Sequence, residues 1–550
     1  MKQRILKVHP KDNVLVALTD LSKGEVLSYA GLDYLLQDNV AAKHKFNTEA
    51  MKSGDELIMY GVLVGKAQAD IPPGSLLTTS NIKHAATGFE TNEAHLSWNK
   101  PDIQGWKDRT FNGFHRNDGQ VGTANYWLVI PMVFCENRNL EVIQEALLNN
   151  LGYGRNETYQ QQAKELISLY EQGKSLDEIL NAQLIYTEQK EKANRLFPNV
   201  DGIKFLTHTG GCGGTRQDSQ TLCGLLAGYI THPNVAGATI LSLGCQNAQV
   251  SILQEEIEQR VPNFDKPLYI LDQQTIGKES ELLSQAIKQT FAGLMQANKN
   301  VRQAAPLSKL CIGLECGGSD GFSGISANPA IGYTSDLLVA LGGSVILAEF
   351  PELCGVEQNL SDRCVERADA SRFSELMTTY SSRATAAGSG FDMNPSPGNI
   401  KDGLITDAIK SAGAAKKGGT SPVVAVLDYP EKVTKPGLNL LCTPGNDVES
   451  TTAEVGSGAN VVLFTTGLGT PTGNPIAPVV KIASNTRLFN KMRDIIDLDT
   501  GSIIDGEESI EAAGARILEY VIEVASGNVE VSALRHRQDD FIPWKRGVSL

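Results

Sequence analysis

The stretch 308–329, SKLCIGLECGGSDGFSGISANP, places a thiol, a hydroxyl and a carboxylate in one Gly-rich turn. The three groups belong to Cys316, Ser319 and Asp320, and they follow the short apolar run 310–314. An apolar run that is bounded by Gly is typical of a buried strand. In an open α/β sheet, ligands bind outside the carboxyl ends of the strands. We therefore predict that this turn lies at the centre of an active site.

The same pattern, an apolar run that ends in a polar or thiol side chain, recurs along the chain. The residues at or just after the ends of the other predicted strands are His208, Cys212, Cys245, Glu349, Cys442 and Asp447. Because ligand-binding groups of an open parallel sheet gather at the carboxyl ends of its strands, we expect these side chains to share one edge with Cys316. Reduced thiols at such an edge can bind a metal or take part in catalysis.

Length, composition and charge limit the class of protein. The 550 residues, 41% hydrophobic and 20% charged, have the composition of a soluble globular protein of roughly three or four domains. The formal net charge of -14 argues against nucleic acid or an anionic membrane as the main partner. No signal peptide or spanning apolar stretch is recognisable, so we predict a cytoplasmic location. The nine cysteines have no regular spacing and do not indicate a disulfide framework.

The order of the patterns predicts an α/β protein with several domains. Residues 1–88 contain short β-rich runs punctuated by turn residues, as in a β-clip of the SAF type, and 89–107 resemble a linker. Residues 108–258 form a second α/β domain, in which apolar residues have helical spacing from about 140 to 196. The remainder, 259–550, alternates strands and helices and predicts a Rossmann-like, mostly parallel sheet with helices on both faces.

Several loops carry candidates for binding a carboxylate substrate. His44 and Lys45 form a cationic pair in the first domain, although a solvated loop explains them equally well. Arg116 and Asp118 lie in a polar loop, where a hairpin turn accounts for the Asn-Asp-Gly sequence but not for the preceding His-Arg. Arg216 follows GGCGGT, a turn whose helix N-terminus would attract an anion. That turn lacks the G-x-G-x-x-G spacing, so it is weak evidence for NAD.

Five stretches together resemble the altronate dehydratase / galactarate dehydratase family. They are FNGFHRNDGQVGTAN, HTGGCGGTRQDSQTL, LSLGCQNAQ, LECGGSDGFSGISANPAIG and the long CTPGNDVESTTAEVGSGANVVLFTTGLGTPTGNPIAPVVKIASNT. The resemblance covers nearly the whole chain, including the SAF-like domain. It departs from the family pattern at Gly213, where we expect Ser, and at Gln246, where we expect Glu. The second departure weakens a metal-ligand role at that turn.

The resemblance implies a dehydratase of a small-molecule sugar acid, with altronate nearer than the diacid galactarate. It also implies dependence on Fe2+, with Mn2+ as a substitute, and a homodimer that uses the second domain for dimerisation. Dehydration removes the proton α to the carboxylate and expels the β hydroxyl, so it needs a base, an acid and a positive charge near the developing ene-diolate.

We assign these roles as hypotheses, leaving ligand and base undistinguished within the set. The catalytic candidates are Asp320, His208, Cys316 and Glu349. The substrate-binding candidates are His44, Lys45, Arg116, Asp118, Arg216 and Ser319. The metal-ligand candidates are Cys212, Cys245, Cys316, Cys442 and Asp447, and the four thiols leave an iron–sulfur cluster open. Alternatives are a galactarate dehydratase, an NAD-linked dehydrogenase and a carbohydrate-binding protein without catalysis.

Overall fold

The structure of the chain is a computed structural model that describes residues 3–86, 98–154, 158–185 and 195–549. The chain forms three consecutive units, of which the first is built of β-strands and the other two each contain a parallel sheet. This is the predicted order of a SAF-type domain followed by α/β units. Among the described residues, no helix is both long and apolar enough to cross a membrane.

The first unit consists of short antiparallel strands in three small sheets, ordered β1-β2-β5, β3-β4 and β6-β7-β8. The strands are β1 (Ile5–Leu6), β2 (Val14–Ala17), β3 (Val26–Tyr29), β4 (Leu32–Leu35), β5 (Lys45–Asn47), β6 (Glu56–Met59), β7 (Val62–Ala67) and β8 (Ile82–Lys83). Two hairpins close through Ala30-Gly31 and Tyr60-Gly61, whose residues all have positive φ. Such two-residue turns match the twist of the paired strands.

The second unit combines a parallel sheet with a small antiparallel one. Its strands are β9 (Thr110–His115), β10 (Val121–Gly122), β11 (Tyr126–Pro131), β12 (Gly202–Phe205), β13 (Val235–Ser242) and β14 (Leu268–Asp272). Its helices are α1 (Asn137–Leu148), α2 (Thr158–Glu171), α3 (Leu176–Leu180), α4 (Arg216–Thr231), α5 (Val250–Arg260), α6 (Gln273–Ile276) and α7 (Glu279–Ala297). The parallel sheet has the order β12-β11-β13-β14.

The second unit ends later than the sequence predicts. Strand β14 is part of its parallel sheet, and apolar side chains of α7, including Leu282 and Leu294, share a core with Trp127 of β11. The boundary predicted at 258/259 therefore lies inside this unit, because β14 and α7 come after it in the chain but belong to the sheet and core of the second unit. Of the predicted linker, 89–97 lies outside the described residues, and Trp106 in the remainder donates a hydrogen bond to Glu519.

The third unit begins with β15 (Arg302–Pro306), which pairs with β9 of the second unit, and continues as a seven-stranded parallel sheet. The strands of that sheet are β16 (Cys311–Cys316), β17 (Ser344–Leu347), β18 (Val423–Asp428), β19 (Gly437–Cys442), β20 (Val461–Thr466), β21 (Val479–Ala483) and β22 (Leu498–Asp499). The flanking helices are α8 (Ala327–Ala340), α9 (Glu357–Ser361), α10 (Arg367–Ala386), α11 (Pro397–Lys401), α12 (Asp407–Ala414), α13 (Asp447–Gly456), α14 (Thr486–Lys491), α15 (Gly501–Ile504), α16 (Ile510–Ala525) and α17 (Ser532–Arg535). Short 3-10 helices occupy Phe350–Leu353 and Ala415–Gly418.

The strand order β18-β19-β17-β16-β20-β21-β22 places the first strand of the sheet, β16, in its middle. The chain builds one side of the sheet from β17 to β19 and then crosses to β20 on the other side of β16. Residues of β20 are buried throughout, as expected where helices cover both faces of a parallel sheet. The topological switch point lies between β16 and β20, and ligands of doubly wound folds bind at such points.

The C-terminal tail connects the second and third units. Asp539 forms an ion pair with Lys204 of β12, with 2.7 Å between Oδ1 and Nζ. Farther along, the backbone N–H of Arg546 donates to Asp218 of α4 at 2.9 Å, and its guanidinium donates to Asp428 of β18. The tail therefore holds side chains of both parallel-sheet units.

Candidate active site

The carboxyl ends of β16 and β17 bring a thiol into contact with two carboxylates. Cys316 ends β16, whereas Glu349 and Glu352 follow β17 and are close together in sequence. The Sγ atom of Cys316 lies 3.6 Å from Glu349 Oε2 and 3.3 Å from Glu352 Oε2. All three side chains are buried. The structure thus brings together Cys316 and Glu349, two of the sequence candidates.

Two lysines supply the positive charge that these buried carboxylates require. Lys417 donates to Glu349 Oε2 at 2.7 Å and to Cys316 Sγ at 3.1 Å. Lys410 of α12 donates to Glu352 Oε1 at 2.5 Å and to Asn394 Oδ1 at 2.9 Å. Each carboxylate therefore has its own ammonium partner.

Asp447, the first residue of α13, lies near Cys316 and its two carboxylate neighbours. An ideal Cβ atom on Gly317 would lie 2.0 Å from Asp447 Oδ2, so the carboxylate occupies the space that any side chain at 317 would need. The side chain of Asn446 caps α13 by accepting the backbone N–H groups of Val448 and Glu449. Because Gly445 and Asn446 are exposed and Asp447 is half-buried, this loop is where the group meets solvent. We call Cys316, Glu349, Glu352, Lys410, Lys417 and Asp447 the carboxyl-edge cluster.

The protonation states in the carboxyl-edge cluster are set by burial and by the neighbouring charges. Burial, then the charges of Glu349 and Glu352, raises the pKa of Asp447 to about 7. Burial and the same two carboxylates raise the pKa of Cys316 well above its ordinary value, so the thiol is neutral. Burial alone would lower the pKa of Lys417, but the surrounding acidic groups outweigh it and raise that pKa. The cluster thus combines a fixed cation with a carboxyl group that titrates near neutrality.

Backbone strain also marks this cluster. Glu349 has φ of 61°, in the left-handed region that non-Gly residues seldom adopt. Its backbone N–H donates to Thr443 Oγ1 at 2.8 Å, and its carboxylate is held by Lys417. Strained backbone of this kind persists where the surroundings hold it and is concentrated at functional sites.

Asp320, the predicted centre of the site, has a different set of partners. Its Oδ1 accepts hydrogen bonds from the Ser323 hydroxyl at 2.9 Å and the Ser484 hydroxyl at 2.8 Å. It also accepts the backbone N–H groups of Phe322 and Ser323. Its Oδ2 lies 3.0 Å from Lys43 Nζ, and the residue is fully buried. This network joins the turn to β21, which is followed by Ser484, and to the first unit through Lys43.

The predicted cationic pair of the first unit docks onto the third. Lys45 is fully buried and donates to the carbonyl of Gly403 at 2.6 Å, while the ring of His44 contacts the carbonyl of Lys401 at 3.1 Å. Burial lowers the pKa of Lys45 to about 7, against the opposing effect of Asp320. Both side chains therefore lie in the interface between the units and not in a solvated loop.

The four strand-end thiols do not share one edge, which corrects the sequence expectation. Cys212 and Cys245 follow strands of the four-stranded sheet and are exposed, whereas Cys316 and Cys442 end strands of the seven-stranded sheet and are buried. The sequence shows that each strand ends in a thiol but not that the strands belong to two sheets. The four thiols thus divide into two pairs that belong to different sheets, and an iron–sulfur cluster stays a prediction.

His208 and Cys212 border a separate cavity of about 350 Å3, which the C-terminal tail covers with Trp544 and other residues. The ring of His208 is hydrogen-bonded on both sides, to the carbonyl of Pro131 at 2.7 Å and from the N–H of Gly210 at 3.1 Å. Burial lowers the pKa of His208 to about 4, so the ring is neutral and already engaged by backbone.

The remaining sequence candidates lie outside the carboxyl-edge cluster. Arg116 is held by the carbonyl of Pro233 at 2.8 Å and by Asn125 Oδ1 at 3.0 Å. Asp118 is exposed and accepts the N–H of Gln120, as in an ordinary turn, and Arg216 is exposed at the start of α4. Ser319 is buried beside the cluster, and its carbonyl accepts a hydrogen bond from Asn399.

The sequence reasoning missed Glu352, Lys410 and Lys417. Both lysines come from the connection between β17 and β18, a stretch rich in small residues without a strand of its own. Glu352 follows Glu349 by one short turn and could have been found from the repeat of acidic residues after a predicted strand. No local pattern in the sequence indicates that Lys410 and Lys417 return to the ends of β16 and β17.

Three family models match the chain in the order of its structural units. They are the altronate/galactarate dehydratase SAF domain at residues 3–85, the D-galactarate dehydratase/altronate hydrolase second domain at 113–298, and the D-galactarate/altronate dehydratase C-terminal domain at 307–549. The gap between the last two matches falls where α7 ends and β15 begins.

Curated relatives match the chain over almost its whole length. The altronate dehydratase of Bacillus subtilis (strain 168) is 32% identical over 548 residues, and that of Escherichia coli (strain K12) is 33% identical over 553 residues. Both alignments cover 99% of this chain and 99% of the relative. The galactarate dehydratase (L-threo-forming) of Escherichia coli (strain K12) is 30% identical over 530 residues, 95% of this chain and 92% of that protein.

Proposed function

The chain belongs to the altronate and galactarate dehydratase family, and from that premise we propose that it converts D-altronate to 2-keto-3-deoxy-D-gluconate and water. It is a hydro-lyase that acts on a sugar acid. Two altronate dehydratases at 32% and 33% identity over nearly the full length support altronate ahead of galactarate, since the galactarate dehydratase of Escherichia coli matches at 30%.

The observation that carries the proposal is the composition of the carboxyl-edge cluster. Removing the proton α to a carboxylate builds negative charge on the carboxylate oxygens, and fixed cations stabilise that charge. Lys410 and Lys417 are such cations, because the neighbouring acidic groups raise the pKa of both ammonium groups. They lie at the carboxyl ends of the strands, where substrates of this fold class bind.

Asp447 is the proposed proton-transfer group. A general base or acid works best when its pKa lies near the operating pH, and the pKa of Asp447 is raised to about 7. Glu352 remains ionised because Lys410 and Lys417 outweigh the effect of its burial on its pKa. We assign it the role of positioning Lys410, to which it is bound at 2.5 Å.

The family resemblance also implies Fe2+, which we tested against the donors of the cluster. The ligand atoms of Cys316, Glu349 and Glu352 lie within 4.8 Å of one another. Lys410 and Lys417, however, already donate to all three side chains, so the positive charge that a metal would contribute is present. A metal bound near the substrate would add Lewis-acid stabilisation of the ene-diolate. These three donors fit it poorly.

The proposal is tested by incubating the purified chain, under anaerobic and reducing conditions with Fe2+, with altronate and with galactarate in separate reactions. We expect 2-keto-3-deoxygluconate from altronate and a much slower reaction with galactarate. Faster turnover of galactarate would identify galactarate as the substrate instead of altronate. If neither acid gave a dehydration product, the dehydratase assignment would be contradicted. The variant Glu352→Gln, which keeps the shape of the side chain but not its charge, serves as the inactive control.

A further inference from the structure

A second group of metal-type ligands lies where the first unit meets the third. His84 follows β8 of the first unit, Cys354 follows the 3-10 helix after β17, and Asp407 is the first residue of α12. One ligand atom of each, an imidazole nitrogen, the thiol sulfur and a carboxylate oxygen, lies within 4.8 Å of the other two. We call these residues the junction triad.

Asp407 supplies an independent indication of a ligand. Its side chain is 1% exposed, and Oδ2 has no hydrogen-bond partner among the described residues. Its Oδ1 accepts from the Ser411 hydroxyl at a long 3.5 Å. A buried carboxylate in this situation is costly unless a proton or a cation neutralises it. Lys410, whose charge acts on Asp407, is already bound to Glu352 and Asn394.

The surroundings of the junction triad add negative charge. Glu352 and Glu357 add negative charge near Asp407, and a hydrogen bond between Cys354 and Asp407 together with the charge of Lys410 opposes it. A neutral imidazole has one lone pair, and the backbone N–H of Ala408 donates to it at Nδ1 over a long 3.4 Å, so binding of a cation replaces this weak hydrogen bond. The three ligand atoms of the triad thus lie close together in acidic surroundings.

We propose that His84, Cys354 and Asp407 bind a divalent cation of borderline softness, of the class of Zn2+, Fe2+ or Co2+. One imidazole, one thiolate and one carboxylate form a donor set for these ions, and Mg2+ and Ca2+ prefer oxygen ligands alone. Three protein ligands leave a fourth position open to water or another ligand. The inference concerns binding alone and holds whether or not altronate is the substrate.

Such a cation has a structural consequence for the site. It ties His84 of the first unit to the segment that carries Glu352, because Cys354 lies two residues farther along the chain. This cation site is distinct from the carboxyl-edge cluster, whose carboxylates are already paired with lysines. Metal binding is therefore coupled to docking of the first unit.

The experiment uses Co2+ as the probe on the full chain, freed of metal by chelation and kept reduced and anaerobic. We expect one Co2+ per chain by metal analysis, with the absorption of a thiolate-to-cobalt bond. Cys354→Ser removes that absorption, and Cys354→Ser, His84→Gln and Asp407→Asn each weaken Co2+ binding by roughly 10- to 100-fold or more. Chelated parent protein that binds no Co2+ overturns the proposal.

Two thiol variants control for the location of the ion. Cys212→Ser removes an exposed thiol and Cys316→Ser removes the buried thiol of the carboxyl-edge cluster, and both should retain the thiolate-to-cobalt absorption. Loss of that absorption in Cys316→Ser with retention in Cys354→Ser would overturn the assignment and move the ion to the cluster.

A measurement on the unmodified protein avoids dependence on whether a variant folds. Alkylation of each cysteine is followed by peptide mass spectrometry with and without Zn2+. We expect Zn2+ to slow modification of Cys354 at least tenfold and to leave that of Cys212 and Cys245 unchanged. Equal modification of Cys354 in both conditions contradicts the proposal. Because no substrate is present, the result is independent of the proposed dehydratase activity.

Discussion

The two parallel sheets each present a cysteine beside a Gly-rich turn, at the end of β16 for Cys316 and beyond β12 for Cys212, but the surroundings of the two thiols differ. Beside the four-stranded sheet, Cys212 is exposed and its neighbour His208 is fully engaged by backbone groups. Beside the seven-stranded sheet, Cys316 is buried against two carboxylates and a lysine. Similar turns therefore place their thiols in surroundings that support different chemistry.

The difference arises from the connections and not from the turns themselves. The long connection between β17 and β18 returns Lys410 and Lys417 to the edge of the seven-stranded sheet. At the corresponding edge of the four-stranded sheet, the space is covered by Trp544 and other residues of the C-terminal tail. A Gly-rich turn becomes a reactive site when other segments add charged side chains to it.

The strongest test of this comparison removes one cation from the carboxyl-edge cluster. Lys417→Met should lower kcat by about 10³-fold, because a fixed charge that stabilises the developing anion is lost. It should also lower the free energy of unfolding by about 3–5 kcal/mol, since Glu349 is left buried without its counter-charge. Turnover and chemical denaturation measure the two effects. Lys416→Met, at the adjacent position, is the matched control, and equal effects of the two variants would contradict the assigned role.

The second test concerns the carboxyl group that titrates near neutrality. Asp447→Asn should lower kcat by about 10²-fold, because the amide cannot exchange a proton. Since burial and nearby carboxylates raise the pKa of Asp447 to about 7, a base at this position is ionised above that pH and protonated below it. The parent kcat/KM should therefore rise with pH through about 7, and the residual activity of the variant should lack that rise. An unchanged profile would assign the ionisation to another group.

The third test defines the limit of the carboxyl-edge cluster within its own turn. Asp320→Asn should lower the free energy of unfolding by about 3 kcal/mol, because it places an amide among buried donors and removes the partner of Lys43. Turnover of the folded variant should stay within a few-fold of the parent. Asp402→Asn, which removes the second and more exposed partner of Lys43, should change stability little. Loss of turnover without loss of stability would indicate that Asp320 takes part in the reaction.

The smallest effect is expected at the sheet without the cluster. Cys212→Ser should leave kcat within twofold of the parent and the free energy of unfolding within about 0.5 kcal/mol, as for other exposed positions. Cys316→Ser should lower kcat about tenfold, since the buried thiol is a hydrogen-bonding group between Lys417 and Glu352. A large effect of Cys212→Ser would mean that both sheets contribute to the reaction.

The sequence predicts the SAF-type domain, the two α/β units and the strand-end positions of Cys316, Glu349 and Asp447 because these depend on local patterns. Short apolar runs, turn residues and their order determine which segments become strands. The sequence does not show that β12 and β13 form a different sheet from β16 and β19, because strand pairing is a long-range property. This is why the thiols were expected to share one edge.

The contacts of individual side chains could not be predicted from the sequence. Asp320 and Cys316 are close in the same turn, yet one binds Ser484 and Lys43 and the other binds Glu352 and Lys417. Which neighbours a residue acquires depends on distant segments, such as the one that carries Ser484, 164 positions after Asp320. The lysines of the site were missed for the same reason.

The C-terminal tail has a consequence for the order of assembly. Asp539 and Arg546 contact β12, α4 and β18, which belong to the second and third units. Because domains fold in order of synthesis, these contacts form later than pairings between earlier segments, such as that of β9 with β15. The tail therefore reinforces a junction between the two units that earlier segments have already begun.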